Sequence, residues 1–159
     1  MNAQGLGGDR LSDQAVFDLF DAVRIDHDNI EHYRALAERR LVINRCDRCG
    51  YWIYPHRPLC PKCLSWDVTP TQVSGRGKVF TFTLLHQLRD PNGFLSEPLV
   101  AAAIEFEEQA GLRYLARLIE CPHEQVRLDM PVTLAWTEDG GRPTPVFRPA
   151  EPAETRVRG

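Results

Sequence analysis

The chain lacks a long hydrophobic run, a leader-like start and the cysteine density of a disulfide scaffold. Its longest uninterrupted apolar stretch is Leu99–Ile104, far short of the ~20 residues a spanning helix needs. Met1 to Leu11 hold no apolar h-region, so a secretory signal peptide is not expected. Five cysteines in 159 residues are too few for a secreted disulfide framework, and the odd number leaves one over. This usage points to a reducing compartment, the cytoplasm, and to thiols kept for metal ligation. What is present is ordinary for a soluble domain: 43% apolar, 26% charged and 9% aromatic residues. At this length folding buries roughly two-thirds of the unfolded surface. A disordered chain, a collagen and a coiled coil are therefore excluded.

The net charge of −3 is unevenly spread. Residues 1–38 sum to −5, residues 39–78 to +6 and residues 79–159 to −4. The middle segment, with Arg39, Arg40, Arg45, Arg48, Arg57, Lys62, Arg76 and Lys78, is where an anion would be drawn.

The pattern divides the chain into four parts. Residues 1–43 read as a helical lead-in. Ser12 is a helix cap, and Val16, Leu19, Phe20 and Val23 follow at helical spacing, giving an amphipathic helix of about three turns within residues 12–24. Asp28 and Glu31 have the spacing of a capping box ahead of Ile30, Tyr33, Leu36, Ala37 and Leu41. Residues 44–70 hold Pro55, Pro58, Pro61 and Pro70, which exclude a long helix. Residues 71–149 turn to period two. Five strands are expected: Lys78–Leu85, Leu99–Phe106, Leu112–Ile119, Val132–Thr137 and Thr144–Arg148. In the first, Phe80, Phe82 and Leu84 are expected to share the core face. Asp90-Pro91-Asn92-Gly93 carries turn chemistry. Residues 150–159 read as a flexible tail. The fold class is mainly β: a zinc ribbon followed by a small five-stranded Greek-key barrel, the OB-fold, with N-terminal α-helices.

The strongest chemical signal is Cys46-Asp47-Arg48-Cys49 and Cys60-Pro61-Lys62-Cys63, with ten residues between the pairs. Each pair presents two thiolates from one tight turn, and Gly50 eases the first. Two such knuckles make an S₄ cage that suits Zn²⁺. The cage has no open position, so the metal would hold the fold rather than do chemistry. Rubredoxin-like iron and an Fe–S cluster use the same ligands. Four thiolates and Zn²⁺ sum to −2, a charge that Arg45, Arg48, Arg57 and Lys62 can balance. His56 lies inside the ribbon, but four cysteines already fill the cage.

The segments "YRALAERRLVINRCDRCGYWIYPHRPLCPKCLSWD", "GRGKVFTFTLLHQ", "EPLVAAAIEFEE", "LRYLARLIE" and "LDMPVTLAWTEDGGRPTPVFRP" occur in this order. Together they resemble the acyl-CoA-associated family that joins a rubredoxin-like zinc ribbon to an OB-fold, catalogued as domain of unknown function 35. The resemblance covers about residues 29–149. It implies a non-catalytic accessory subunit that docks on a thiolase-superfamily enzyme in a hetero-oligomer and helps form its acyl-CoA site. In steroid and lipid side-chain degradation such a domain completes an acyl-CoA retro-aldolase; some members pair with hydratases. On this reading Arg57, Arg76 and Lys78 are the candidates to meet the phosphates and adenine of CoA, and His86 to order the site. The chain departs from the family's usual pattern at Pro98-Leu99 and Asp129-Met130, and the helix within 12–24 is an extension.

Other residues read as structural. Cys121 and His123 are sequence neighbours, which rarely form a catalytic pair. Glu105, Glu107 and Glu108 read as a solvated strand edge. Tyr51, Trp52 and Tyr54 either pack the ribbon on the barrel or face a partner. Two further functions remain in view. A nucleic-acid module would use Phe80 and Phe82 to stack bases, but the pI of about 5.9 opposes it. A rubredoxin-like electron carrier would be red.

Overall fold

The computed structural model describes residues 10–86, 89–90, 93–94 and 96–151. Expectations for the first nine residues and for the tail beyond Glu151 lie outside these. The chain runs α1 (Asp13–Leu19), α2 (Ile30–Ala37), β1 (Val42–Cys46), β2 (Trp52–Ile53), β3 (Val68–Gln72), β4 (Arg76–Leu85), β5 (Arg89–Asp90), β6 (Gly93–Phe94), β7 (Leu99–Phe106), β8 (Arg113–Leu118), a 3₁₀ turn at His123–Gln125, β9 (Pro131–Asp139) and β10 (Arg142–Pro149).

Ser12 caps α1 as its sequence implies, its Oγ accepting from the Ala15 N–H at 3.2 Å. The helix is shorter than its apolar spacing suggests. It stops at Leu19 because Phe20 leaves helical geometry to bury its ring against Tyr33, with ring centroids 5.2 Å apart. The capping box before α2 does not form. Asn29 precedes the helix without a side-chain cap. Its Oδ1 instead accepts from Asp26 N–H, and Asp26 Oδ1 accepts from Asp28 N–H. Arg39, at φ 55°, turns the chain out of α2. Leu41 is therefore buried from an extended segment and not from the helix face.

β2, β1 and β3 form a three-stranded antiparallel sheet in that order. The other five long strands close a barrel in the order β10-β8-β7-β4-β9, the five-strand closure expected of an OB-fold. β4 is long because it pairs twice, with β9 over Arg76–Lys78 and with β7 along its length. Gly77 sits at that crossing, where a Cβ would lie 2.5 Å from the Glu105 carbonyl oxygen. Only glycine allows this approach.

The expected alternation in β4 is broken by a register shift between Val79 and Thr81. A bulge of this kind re-aims the side chains that follow. Val79, Phe82 and Leu84 pack in the core, and Phe80 is 41% exposed. The core expectation fails for Phe80 alone, whose ring is stacked by the Arg113 guanidinium at 3.4 Å. The shared core runs from Val16, Phe20 and Leu36 through Leu41 and Ile43 to Val79, Ile104, Tyr114 and Phe147. A smaller cluster of Cys46, Ile53 and Cys60 lies under the ribbon.

Candidate metal centre and docking surfaces

The two cysteine knuckles are built alike. In the first, Gly50 N–H donates to the Cys46 carbonyl and Cys46 N–H to the Tyr51 carbonyl, both at 2.8 Å. In the second, Leu64 N–H donates to the Cys60 carbonyl and Cys60 N–H to the Ser65 carbonyl, both at 2.9 Å. The residue after each pair is left-handed, Gly50 at φ 73° and Leu64 at φ 57°. β1 carries Cys46 into the site.

All four sulfurs lie within 4.8 Å of one another. Cys46–Cys63 and Cys49–Cys60 are each 3.6 Å apart. A tetrahedron with Zn–S bonds of about 2.3 Å has edges of about 3.8 Å, so the donor set fits Zn²⁺. Burial pushes the Cys60 thiol up, but the N–H groups of Cys63 and Lys62 and the neighbouring sulfurs outweigh it and bring it down to about 7. At Cys63 the Ser65 N–H favours the thiolate, but burial and the three other sulfurs hold the thiol up at about 12. Four sulfurs this close ionise together only around a cation. All four ligand positions are taken by protein, which leaves no place for substrate.

One side chain ties the edge strand of the ribbon to the barrel by hydrogen bonds. Gln109, in the β7–β8 turn, accepts from Trp52 N–H at 2.9 Å and donates to the Trp52 carbonyl at 3.1 Å. It imitates a neighbouring strand along β2. Arg45 lies over the Trp52 ring at 5.5 Å. On the other side, His32 of α2, His56 of the ribbon and Tyr114 of β8 meet. The two imidazole centroids are 4.6 Å apart, and His32 and Tyr114 are 6.0 Å apart. His32 is held by the Val42 carbonyl at 2.8 Å, while both His56 ring nitrogens are buried without a hydrogen-bond partner. Neither Gln109 nor His32 stands out in the sequence, because each acts through contacts distant along the chain.

Of the four residues singled out for CoA, two are paired with carboxylates and two are exposed. Arg76 is paired with Glu107 at 2.7 Å and Lys78 with Asp129 at 2.7 Å. Arg57 is exposed on the ribbon, and His86 is exposed just after β4. Arg76 and His86 stand at opposite ends of that strand, about 30 Å apart at strand rise. Cys121 Sγ contacts the Pro122 carbonyl, and His123 pairs with Glu124. The acidic strand edge is used to hold turns. Glu105 accepts from Gly111 N–H and Arg113, and Glu108 accepts from Ser74 N–H. Among the described residues no helix is long and apolar enough to cross a membrane.

A closed four-cysteine ribbon fastened to a five-stranded barrel defines a zinc-ribbon and OB-fold protein. The family models described as the ChsH2 rubredoxin-like zinc ribbon domain and the ChsH2 C-terminal OB-fold domain match residues 34–68 and 70–137. The chain is 34% identical over 117 residues to a DUF35 domain-containing scaffold protein of Methanocaldococcus jannaschii, covering 70% of this chain and 80% of that one. It is 36% identical over 131 residues to a probable enoyl-CoA hydratase alpha subunit of Thermomonospora curvata, covering 82% of this chain. It spans only 40% of that relative's length. Among solved structures it resembles a chain of the Ltp2-ChsH2(DUF35) aldolase, with TM-score 0.72 and 35% identity over 81% of this chain and 99% of that one. This chain belongs to the DUF35 family, with the ChsH2 arrangement of zinc ribbon and OB-fold.

Proposed function

We propose that this chain is a non-catalytic accessory subunit that docks on a thiolase-superfamily enzyme and helps form its acyl-CoA site. The enzyme is a thiolase or an acyl-CoA retro-aldolase of lipid or steroid side-chain degradation in the cytoplasm. The observation that carries the reading is the likeness to nearly the whole length of a chain from an aldolase complex. One feature supports it: all four ligand positions of the cysteine centre are taken by protein, so the metal has no place for substrate. The metal is structural Zn²⁺ held by Cys46, Cys49, Cys60 and Cys63. Arg57 and His86 remain exposed candidates for the CoA portion, while Arg76 and Lys78 would have to leave their carboxylate partners to serve. That pairing also weakens the nucleic-acid reading, which needs unneutralised cations along the barrel.

The test is co-expression with the thiolase-like enzyme of the same source, followed by co-elution, metal analysis and acyl-CoA cleavage assays. The expected result is a stable complex with about one zinc per chain and cleavage only in the mixture. A zinc-loaded chain that neither co-elutes nor changes the enzyme's activity overturns the reading.

A further inference from the structure

The barrel has an open seam. β8 and β10 run parallel but pair only at Arg117–Val146 and Leu118–Phe147. Before these positions the ladder stops. The cause is legible in β10. The Phe147 carbonyl accepts from Ile119 N–H at 2.8 Å, so alternate positions 147, 145 and 143 turn their backbone groups toward β8. Pro143 and Pro145 stand there and have no N–H to give. The seam cannot zip shut. For the same reason it is a poor acceptor for an added peptide strand, which relies on main-chain donors.

Over the seam lies a groove of ≈ 470 Å³, within the 300–1,000 Å³ range of small-molecule sites. Phe20 and Val23 of the lead-in form one wall, and Leu85, Leu99, Ala101 and Leu115 of the barrel form the other. Leu115 is 72% exposed there, although it projects from the middle of a strand. Two guanidinium groups border the groove. Arg142 is partnered by Asp21 at 3.7 Å and by the Asp139 carbonyl. Arg117 has no carboxylate within ion-pair distance among the described residues. The groove thus offers an apolar trough ending at a cation, the complement of an aliphatic chain attached to an anionic carrier.

We propose that this seam groove is an acyl-chain subsite: it takes the aliphatic part of an acyl-CoA, and Arg117 faces the CoA portion. The proposal deepens the accessory-subunit reading and rests on it for the ligand's identity. It is tested on the zinc-loaded full chain alone, by calorimetric titration with CoA and with octanoyl-CoA. Burying several methylenes makes octanoyl-CoA bind at least about tenfold tighter than CoA. Ala101→Phe, which fills the trough, and Leu115→Glu, which charges its wall, abolish that difference. Arg117→Gln weakens both ligands. Octanoyl-CoA binding no tighter than CoA overturns the proposal. So does a full chain-length advantage in the two groove variants with zinc content and circular dichroism retained. Enzyme co-elution reads out separately, so a chain that docks yet shows no chain-length preference sinks the subsite and leaves the accessory reading standing.

Discussion

Leu64 holds a backbone conformation that costs a side-chain-bearing residue about 1–2 kcal/mol. Its counterpart in the first knuckle is Gly50, at nearly the same φ. Leu64 is 69% exposed and its neighbour Trp66 is 72% exposed, so little packing within the chain compensates. Leu64→Gly is therefore expected to stabilise the zinc-loaded chain by about 1 kcal/mol, allowing for glycine's greater unfolded-state entropy. This raises the thermal midpoint by about 2–4 °C. An unchanged or lower midpoint contradicts it. Gln109 makes the opposite case. Its amide satisfies both backbone groups of Trp52, and Gln109→Ala leaves them unpaired in a half-buried seam. A loss of about 1–3 kcal/mol is expected in chemical denaturation. Gln109→Glu keeps the acceptor and loses the donor, and falls between the two.

Three elements meet at the His32–His56 contact: α2, the ribbon and the barrel through Tyr114. Burial pushes His56 down, with His32 adding to the effect against the opposing pull of Asp26, to about 3. Burial likewise lowers His32 against the pull of its bond to Val42. Both imidazoles therefore resist protonation in the folded chain and take up protons on unfolding below about pH 6.5. The unfolded state then binds more protons, so this contribution to stability is complete above pH 6.5 and is lost as pH falls toward 3. His56→Phe is expected to flatten the stability–pH curve in that window, measured by urea denaturation at several pH values with zinc content followed in parallel. A slope equal to that of the unmodified chain contradicts the assignment. The strands around this junction were legible to different degrees. Leu99–Phe106 was readable to the residue because its apolar run Leu99–Ile104 follows Pro98 and ends before the Glu107–Gly111 turn. β4 was readable as a strand but not in its facing, since the bulge after Val79 depends on pairing with β7. The ribbon strands β1 to β3 were hidden behind prolines and cysteines, and their pairing follows from the metal-site turns.

For the molecule as a whole, the metal centre was fully legible and the ligand-facing surface was not. Cysteine spacing specifies a local cage, whereas the seam groove draws residues from positions as distant as Phe20 and Pro145. The cage nonetheless governs more than the ribbon. β1 enters the ribbon from Leu41 and β3 leaves it at Val73; Val73 N–H donates to the Leu41 carbonyl at 3.1 Å, and both side chains lie in the barrel core. The ribbon is thus clasped at its base by the barrel and held at its tip by four sulfurs. A structural zinc contributes roughly 10 kcal/mol or more of folding free energy, comparable to the whole stability of an ordinary domain. The barrel, closed by five strands and its own core, keeps an independent basis for folding. Chelation is therefore expected to unfold the ribbon first and leave a destabilised barrel. The three tryptophans report the two regions separately, since Trp52 and Trp66 lie in the ribbon and Trp136 in β9. In single-tryptophan variants, zinc removal should shift the emission of Trp52 to the red, from its 9% exposure in the native chain, while Trp136 emission stays fixed until heating. Docking on the enzyme should fail at the same zinc occupancy at which Trp52 becomes exposed. Simultaneous exposure of Trp52 and Trp136 would instead show that ribbon and barrel fold as one unit.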